Sequence, residues 1–448
     1  MRKYLVALMC MFLIAPIFAQ KKLTLSEAIQ IALQRNSSLI KSKNNLETAK
    51  SSLKSAYGDL LPNLRLSGNW GWKRIDDDGG LQNDYFGQSV NIPASTSENR
   101  SWSVSAGGSV VLFDGLANYA NISQSENNLQ AAEYSLDKFK QDIVQYTADF
   151  YYSVLNAMAL KKVREDNVKY NEKLFETIVE RNKLGSVPIA DVYAQQVQFG
   201  NSQLLLIQAE NNYAKSKNAL LDYLSLDVLE EVELVDPLEN IEAINTESFM
   251  KEFGEISGMV SQALNMRLDY KSQLKNLNSM ENGITIANSG LMPTLSGNYG
   301  FGTGSTIASD LFNRREYSVG LTLNIPIFSN WNTENQIQFA EVQYKNSRED
   351  LMALERTIKI EVKQGYLDLL AGKKSLEVAR ENIKAAEENR RINYERYSLG
   401  SGTILDVLQS DRDYTQAMND NINAKFEFYK QKDNMLNVLG KLDYNKYE

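Results

Sequence analysis

Two nearly identical stretches of sequence, far apart in the chain, constrain its fold more than any other feature. LGSVPIADV begins at Leu184 and LGSGTILDV begins at Leu399. Extended back to Arg181 and Arg396, the stretches span 12 residues, of which 7 are identical. Each follows a long segment without proline. Internal repeats indicate copies of one supersecondary unit, so the chain is predicted to contain two copies of one plan.

The rest of the chain follows the same duplicated plan. In each copy a helix is followed by two segments of alternating polarity, a very long helix, the LGS turn and a closing helix. This order predicts a first repeat over residues 20–226 and a second over residues 248–448. The connection between them, residues 227–247, carries eight acidic residues and no basic one. It is expected to be either a solvated loop or a binding segment.

The long helices carry a regular apolar stripe. From Ile358, apolar or small residues recur at alternating spacings of four and three, at Val362, Gly365, Leu369, Gly372, Leu376, Ala379, Ile383 and Ala386. A matching stripe in the first copy runs through Ile143, Thr147, Phe150, Val154 and Ala157. This period is typical of left-handed coiled packing. Each helix is predicted to span about 65 residues, or roughly 100 Å. A soluble coiled-coil protein would show the same pattern.

The alternating segments distinguish this chain from a simple coiled coil. Four segments, residues 63–73, 101–113, 294–302 and 317–328, place apolar residues on one face and polar residues on the other. Each is about the 9 to 11 residues that a strand needs to cross an outer membrane. A soluble sandwich would alternate in the same way, but these four strands have no second sheet on which to pack.

Four strands in lipid would leave two edges without hydrogen-bond partners, so closure requires other copies of the chain. Two chains would supply eight strands and a barrel filled by its own side chains. Three chains would supply twelve strands, enough for a water-filled lumen. The predicted fold class is therefore mixed α and β, with four transmembrane strands per chain and long coiled helices.

The N-terminus predicts export. Residues 1–19 have Arg2 and Lys3, then an apolar run, and are interpreted as a secretory signal peptide. The single cysteine, Cys10, lies within it, and the chain has no histidine. Without histidine, and without cysteine once the signal peptide is removed, the chain lacks the usual zinc and copper ligands and the usual general base. No cofactor is therefore expected. With 48 basic and 56 acidic residues, the chain is also not expected to bind nucleic acid.

Taken together, these features resemble the TolC family of outer-membrane efflux proteins. The resemblance rests on the opening LTLSEAIQIALQRNSSL from Leu23, on the strand entries LPNL and MPTL, and on both LGS turns. It implies a homotrimer in the outer membrane of a Gram-negative bacterium. Twelve strands would form a barrel in the lipid and the helices a tunnel across the periplasm. The implied partners are a periplasmic membrane-fusion adaptor and an inner-membrane pump of the RND or ABC type.

The resemblance also implies roles for the two turns. They would be the periplasmic tips of helical hairpins, where the adaptor engages. The tip residues are Leu184, Gly185 and Ser186 in the first copy and Leu399, Gly400 and Ser401 in the second. Gly185 and Gly400 suit a left-handed helix stop, and Pro188 suits a helix start. Ser186 in the first copy, or a residue from Ser401 to Thr403 in the second, is expected to cap the helix that follows. A plain helix corner explains the same residues and is compatible with docking.

Three further residues match the family's pore constriction. Asp406 corresponds to an aspartate whose three copies ring the closed tunnel mouth, and Asp191 is its counterpart in the first repeat. Tyr397 matches a tyrosine that helps to lock the closed state, through a bond to Asp191. An aspartate in the first turn of a helix is also a favourable partner for the helix dipole. The chain departs from the family pattern at Gly402, in place of a basic locking residue, and at Gln409, in place of a second acid.

These observations predict a passive export duct without catalysis, serving an efflux or type I secretion system. One rival is a structural or adhesive coiled-coil protein of the cell surface. Another is an outer-membrane hydrolase, which would need a base other than histidine.

Overall fold

The computed structural model describes residues 21–83, 85–229, 232–236 and 254–447. The predicted signal peptide lies outside the described residues, as does most of the acidic connection. Among the described helices, none is long and apolar enough to cross a bilayer.

The chain contains strands and helices in alternating blocks. The strands are β1 (Lys21–Leu23), β2 (Arg65–Asp77), β3 (Gly80–Asn83), β4 (Ser89–Ile92), β5 (Ser95–Phe113), β6 (Val232–Leu234), β7 (Thr294–Ser305) and β8 (Glu316–Asn324). The helices are α1 (Leu25–Arg35), α2 (Ser37–Gly58), α3 (Ala117–Lys183), α4 (Ile189–Tyr223), α5 (Ile256–Met266), α6 (Leu268–Ser289), α7 (Asn332–Ser398) and α8 (Ile404–Val438).

The helices repeat in length as well as in order. Both α3 and α7 have 67 residues, and both α4 and α8 have 35. The shorter helices also match, with 11 residues in α1 and α5 and 22 in α2 and α6. The predicted long helices are confirmed. The predicted stripe in α7 is also confirmed, because Ile358, Val362 and Leu369 are fully buried.

By its internal contacts the chain forms two compact units. The helical unit comprises the described residues up to 44 together with 134–271 and 352–447, and the sheet unit comprises 45–133 and 272–351.

The sheet unit contains one four-stranded antiparallel sheet in the order β2-β5-β7-β8. Its register keeps the two predicted faces separate across all four strands as far as a β-bulge between Val111 and Phe113 near the end of β5. One row on the apolar face is Leu66, Ala106, Phe301 and Tyr317. The adjacent row on the polar face is Ser67, Ser105, Gly302 and Glu316. Because strands β2 and β8 stand at the two ends of the order, each has one edge without a partner in this sheet.

The strand limits differ from the predicted ones for identifiable reasons. Strands β2 and β5 extend past the predicted segments, through residues 74–77 and 95–100, which are polar except for Ile75 and do not continue the alternation. Strand β8 ends at Asn324, so the prediction of a strand to residue 328 is wrong. Pro326 follows two residues later, and proline has no N–H to donate to the ladder. The β3–β4 hairpin was not predicted.

A small parallel sheet joins residues 21–23, just after the predicted signal peptide, to the acidic connection. Strand β1 pairs with β6, so the expectation of a solvated loop is wrong for Val232–Leu234. The fully buried Tyr151 of α3 binds the last residue of β1 and the residue that follows β6. Its hydroxyl lies 2.8 Å from the carbonyl oxygen of Leu23 and 2.6 Å from that of Val235.

Candidate functional site

The first duplicated turn, between α3 and α4, ends the long helix with a left-handed glycine. Gly185 has a φ of +74°. Its N–H donates to the carbonyl of Asn182 at 2.8 Å, and the N–H of Ser186 donates to the carbonyl of Arg181 at 2.8 Å. These two bonds define a Schellman motif, which satisfies carbonyls that a helix end leaves open.

The second turn, between α7 and α8, has the same geometry. Gly400 also has a φ of +74°. Its N–H donates to the carbonyl of Tyr397 at 3.1 Å, and the N–H of Ser401 donates to the carbonyl of Arg396 at 2.9 Å. Residues other than glycine rarely adopt this φ, so the predicted helix stop is confirmed at both glycines.

The helices that follow the turns start differently. Helix α8 begins with a capping box: the Thr403 hydroxyl accepts from the N–H of Asp406 at 3.3 Å, and the Asp406 carboxylate accepts from the N–H of Thr403 at 3.0 Å. Helix α4 has Pro188 at its N-cap position, with no side-chain cap bond. The expected capping by a residue between Ser401 and Thr403 is therefore confirmed at Thr403. In the first copy the N-cap position belongs to Pro188, so the expected cap by Ser186 is wrong.

A hydrogen bond between two side chains joins the two hairpins at the turns. The hydroxyl of Tyr397 donates to the carboxylate of Asp191 at 2.9 Å. Burial, together with this bond to a carboxylate, raises the pKa of Tyr397 to about 12. The predicted contact between Tyr397 and Asp191 is confirmed, and Tyr397 remains a hydrogen-bond donor at neutral pH.

An apolar cluster beneath the turns holds them in place. Its buried members are Leu174, Ile178, Val192, Tyr397, Ile404, Val407 and Leu408. The valines that close the two nine-residue stretches, Val192 and Val407, both belong to it. The duplicated sequence therefore encodes both the turn and its anchor.

The outermost residues of the turns face solvent. Leu184 is 80% exposed and Leu399 is 83% exposed, so each turn presents one large apolar side chain. Asp406 is exposed, and its pKa is lowered by the hydrogen bonds from the backbone and side chain of Thr403. The structure thus brings Tyr397 and Asp191 together, whereas Asp406 bonds within its own helix start.

The side chain of Arg181, which was not among the predicted site residues, lies beside this pair. The guanidinium carbon of Arg181 is 5.2 Å from the ring centroid of Tyr397, and an Arg181 N–H donates to the carbonyl of Ser398 at 3.4 Å. The resemblance implies a basic locking residue where this chain has Gly402, and Arg181 places a positive charge beside Tyr397 from the other hairpin. The signal was available, because Arg181 begins the duplicated 12-residue stretch.

The chain matches the family model described as outer membrane efflux protein over residues 28–225 and 259–441. Among curated relatives, it is 22% identical to the outer membrane protein TolC of Vibrio cholerae, over 93% of this chain and 87% of that protein. It is 21% identical to TolC of Escherichia coli, over 94% of this chain and 82% of that protein.

Solved structures show the same fold. The outer membrane protein VceC of Vibrio cholerae superposes with a TM-score of 0.77 at 16% identity. The match covers 93% of this chain and 96% of VceC. The mixed α and β architecture predicted from the two repeats is therefore shared with a known outer-membrane protein.

Proposed function

The chain belongs to the outer membrane efflux protein family, and on that premise we propose that it is a passive exit duct. It would conduct substrates from an inner-membrane pump of the RND or ABC type, through a periplasmic adaptor, to the cell exterior. The family is one of outer-membrane channels, so the protein acts at the outer membrane. The absence of catalysis stays a prediction.

The observation that carries this proposal is the four-stranded sheet. Its apolar face is open to the surroundings, with Val319 90% exposed, Leu66 74% and Leu321 72%. A face of this kind in water would be an aggregation site, whereas lipid would cover it. The free edges of β2 and β8 need partners, because backbone groups in lipid must be hydrogen-bonded. Three chains related by rotation would pair each β2 with a neighbouring β8 and close a twelve-stranded barrel.

The long helices support the periplasmic part of the proposal. At 67 residues, α3 and α7 are each about 100 Å long. In a trimer, three pairs of hairpins would surround one axis and enclose a tunnel whose narrow end lies at the turns. We assign the pore constriction to Asp406, Asp191 and Tyr397. Three exposed carboxylates close to the axis would favour cations at the mouth.

We assign adaptor docking to the turns themselves, Leu184–Gly185–Ser186 and Leu399–Gly400–Ser401. Each turn is fixed by its Schellman motif and by the apolar cluster beneath it, so it is a rigid surface. The exposed Leu184 and Leu399 provide an apolar contact for a partner of complementary shape, because burying an exposed leucine side chain against a partner removes apolar surface from water.

Reconstitution tests the duct directly. The purified protein is expected to migrate as a heat-sensitive trimer and to produce discrete conductance steps in planar bilayers. A monodisperse monomer without conductance would instead favour the structural or adhesive coiled-coil protein.

Photo-crosslinking in cells tests the docking assignment. A photoreactive amino acid at Leu399 is expected to trap an inner-membrane-anchored periplasmic protein. The control is Leu81 in the β3–β4 hairpin, which is 78% exposed and which the proposal places outside the cell. Equal adducts from both positions, or none from Leu399, would contradict docking at the turns.

A further inference from the structure

Asp411 of α8 is a buried carboxylate that the proposed constriction does not use. It is 1% exposed and lies five positions after Asp406 along α8. Placing a carboxylate in a protein interior is costly unless it is paired and hydrogen-bonded. Its partners therefore show what the burial achieves.

Two of these partners come from the other hairpin. The side-chain amides of Asn167 and Asn171, one turn apart on α3, both donate to Oδ2 of Asp411, at 3.0 and 3.1 Å. Asn167 also donates to the hydroxyl oxygen of Thr415 at 3.0 Å. One oxygen of a residue in the α7–α8 hairpin thus holds two amides of the α3–α4 hairpin.

The counter-charge comes from α7. Nη1 of Arg390 lies 3.4 Å from Oδ1 of Asp411. The same guanidinium lies over two rings, 3.8 Å from the centroid of Tyr414 and 4.9 Å from that of Tyr170. Because Tyr170 belongs to α3, Arg390 also contacts both hairpins.

The fourth helix fixes the orientation of one amide. Nε2 of the fully buried Gln195, on α4, donates to Oδ1 of Asn171 at 3.0 Å and to its carbonyl oxygen at 3.0 Å. With its oxygen held by Gln195, Asn171 turns its NH₂ group toward Asp411. We call this set the Asp411 clasp; its members are Asn167, Asn171, Gln195, Arg390, Asp411 and Thr415.

The clasp is not part of the duplicated scaffold. The residue that occupies the place of Asp411 in the first copy, five positions after Asp191, is the exposed Gln196. A residue that merely supported the shared hairpin fold would be expected in both copies. The buried charge is therefore specific to the contact between the hairpins.

The clasp also has features of a contact that can be released. Oε1 of Gln195 and the hydroxyl oxygen of Tyr170 are buried without a hydrogen-bond partner among the described residues. Burial raises the pKa of Asp411, against the hydrogen bonds from Asn171, Asn167 and Arg390. Separation of the hairpins would hydrate the carboxylate and both unpartnered oxygens, which offsets part of the loss of the clasp.

We propose that Asp411 is a positioning residue of the gate: by binding Asn167 and Asn171 it holds the α3–α4 hairpin against the α7–α8 hairpin and keeps the tunnel mouth narrow at rest. The functional part of this inference rests on the proposed duct, whereas the positioning part does not. The Tyr397–Asp191 bond and the Arg181 contacts beside it join the hairpins at the turns, and the Asp411 clasp is a separate, more buried connection.

The test uses two variants from opposite sides of the clasp and one matched control. Asp411→Ala removes the acceptor, and Asn167→Ala with Asn171→Ala removes the donors while leaving the Asp411–Arg390 pair. The control is Asp413→Ala, which removes the same charge two residues later, from an exposed side chain bonded only locally to Gln409 at 2.8 Å. In planar bilayers we expect both clasp variants to raise the ratio of open to closed time by at least about tenfold, because one hydrogen bond to a buried charge is worth about that factor and each variant removes two or more. The control is expected to match the parent.

A distance measurement separates the clasp from the duct. The only cysteine of the chain is Cys10, within the predicted signal peptide, so spin labels at Leu184→Cys and Leu399→Cys would be unique in the mature protein. In trimers with one labelled chain, we expect both clasp variants to lengthen and broaden the distance between the labels. Asp411→Asn, which still accepts from both asparagines, is expected to restore most of the parental distribution.

These readouts distinguish the two possible failures. A parent that does not conduct would overturn the proposed duct, and the label distances would still decide the clasp. Unchanged distances in the double variant Asn167→Ala with Asn171→Ala would overturn the clasp, even if Asp411→Ala failed to assemble. Lower thermal stability with parental distances and conductance would show that Asp411 is only a structural residue, which also contradicts the proposal.

Discussion

The sheet offers a test in which two neighbouring residues should behave oppositely. Val319 is the fourth of nine residues in β8 and therefore lies near the middle of the strand. It belongs to the apolar face, opposite Tyr299. Ser318 precedes it and belongs to the polar face, opposite Gly300, which has no side chain to obstruct a larger residue. The same substitution to arginine at each position adds the same charge to opposite faces.

The cost can be estimated from the position of each residue. Arginine on the lipid face costs about 2 to 4 kcal/mol at the bilayer midplane. Because the proposed trimer carries three copies at well-separated sites, the costs add to about 6 to 12 kcal/mol per trimer. That is comparable with the whole stability of a typical domain. Ser318→Arg faces the lumen, where the added side chain stays in water, and we expect it to be nearly neutral.

The assay is the yield of heat-sensitive trimer in outer-membrane fractions, measured for both variants at equal expression. We expect Val319→Arg to reduce the yield strongly and Ser318→Arg to resemble the parent. Equal yields would show that the apolar face does not meet lipid. A larger loss for Ser318→Arg would show that the two faces are assigned the wrong way round.

Three further predictions concern the helical unit. Gly400→Val is expected to abolish efflux while trimers remain, because it places a branched residue at a φ of +74°. The control is Gly200→Ala, at an open helical position, which should preserve efflux and raise the melting temperature. Asp406→Asn should lower the cation preference of the pore, while its amide oxygen still accepts the hydrogen bond of the helix cap. Thr403→Ala should lower the stability of the protein and leave the cation preference unchanged. Equal ion selectivity in the parent and both variants would exclude Asp406 from the constriction. Burial raises the pKa of Asp149 from 3.8 to about 6. Ionisation of this carboxyl group therefore lowers the free energy of unfolding as the pH rises through that range. Asp149→Asn should therefore stabilise the protein by about 1 to 2 kcal/mol at neutral pH, after allowance for the partial exposure of the carboxylate, and by almost nothing near pH 4; a pH-independent change in melting temperature would contradict this reasoning.

Periodicity made the scaffold predictable. The alternation in the four strands and the four-three stripe in α7 depend on local spacing, and both appear in the structure where that spacing is present. The ends of the strands were predicted less well. Strands β2 and β5 continue through polar residues, where pairing between the two strands replaces any signal from burial. Strand β8 stops before Pro326, a breaker that the sequence showed and the prediction overlooked.

The turns were predictable for a different reason. Glycine at a helix end indicates a left-handed stop, and the duplication repeated the signal at Gly185 and Gly400. The contact between Tyr397 and Asp191 came from the family resemblance, since no local pattern links residues so far apart. Asp411 could not be predicted at all. It lies in the polar stretch LQSDRDYT, and its burial depends on Asn171, which is 240 residues away in the sequence.

The places where the two copies differ are informative about the gate. The copies share helix lengths, the Schellman turns and the buried Val192 and Val407, which together form one scaffold used twice. They differ at the helix start, where Pro188 corresponds to the capping residue Thr403, and at the clasp, where Gln196 corresponds to Asp411. A symmetrical pair of hairpins would have equivalent contacts on both sides and no reason to move one relative to the other. The acceptor groups Asp411 and Thr415 lie in the second hairpin and the amide donors in the first, so a single change at Asp411 removes one bond from each asparagine and leaves only the bond between Asn167 and Thr415. Releasable contacts between the hairpins therefore belong where the duplication is broken, and the clasp experiment tests that expectation.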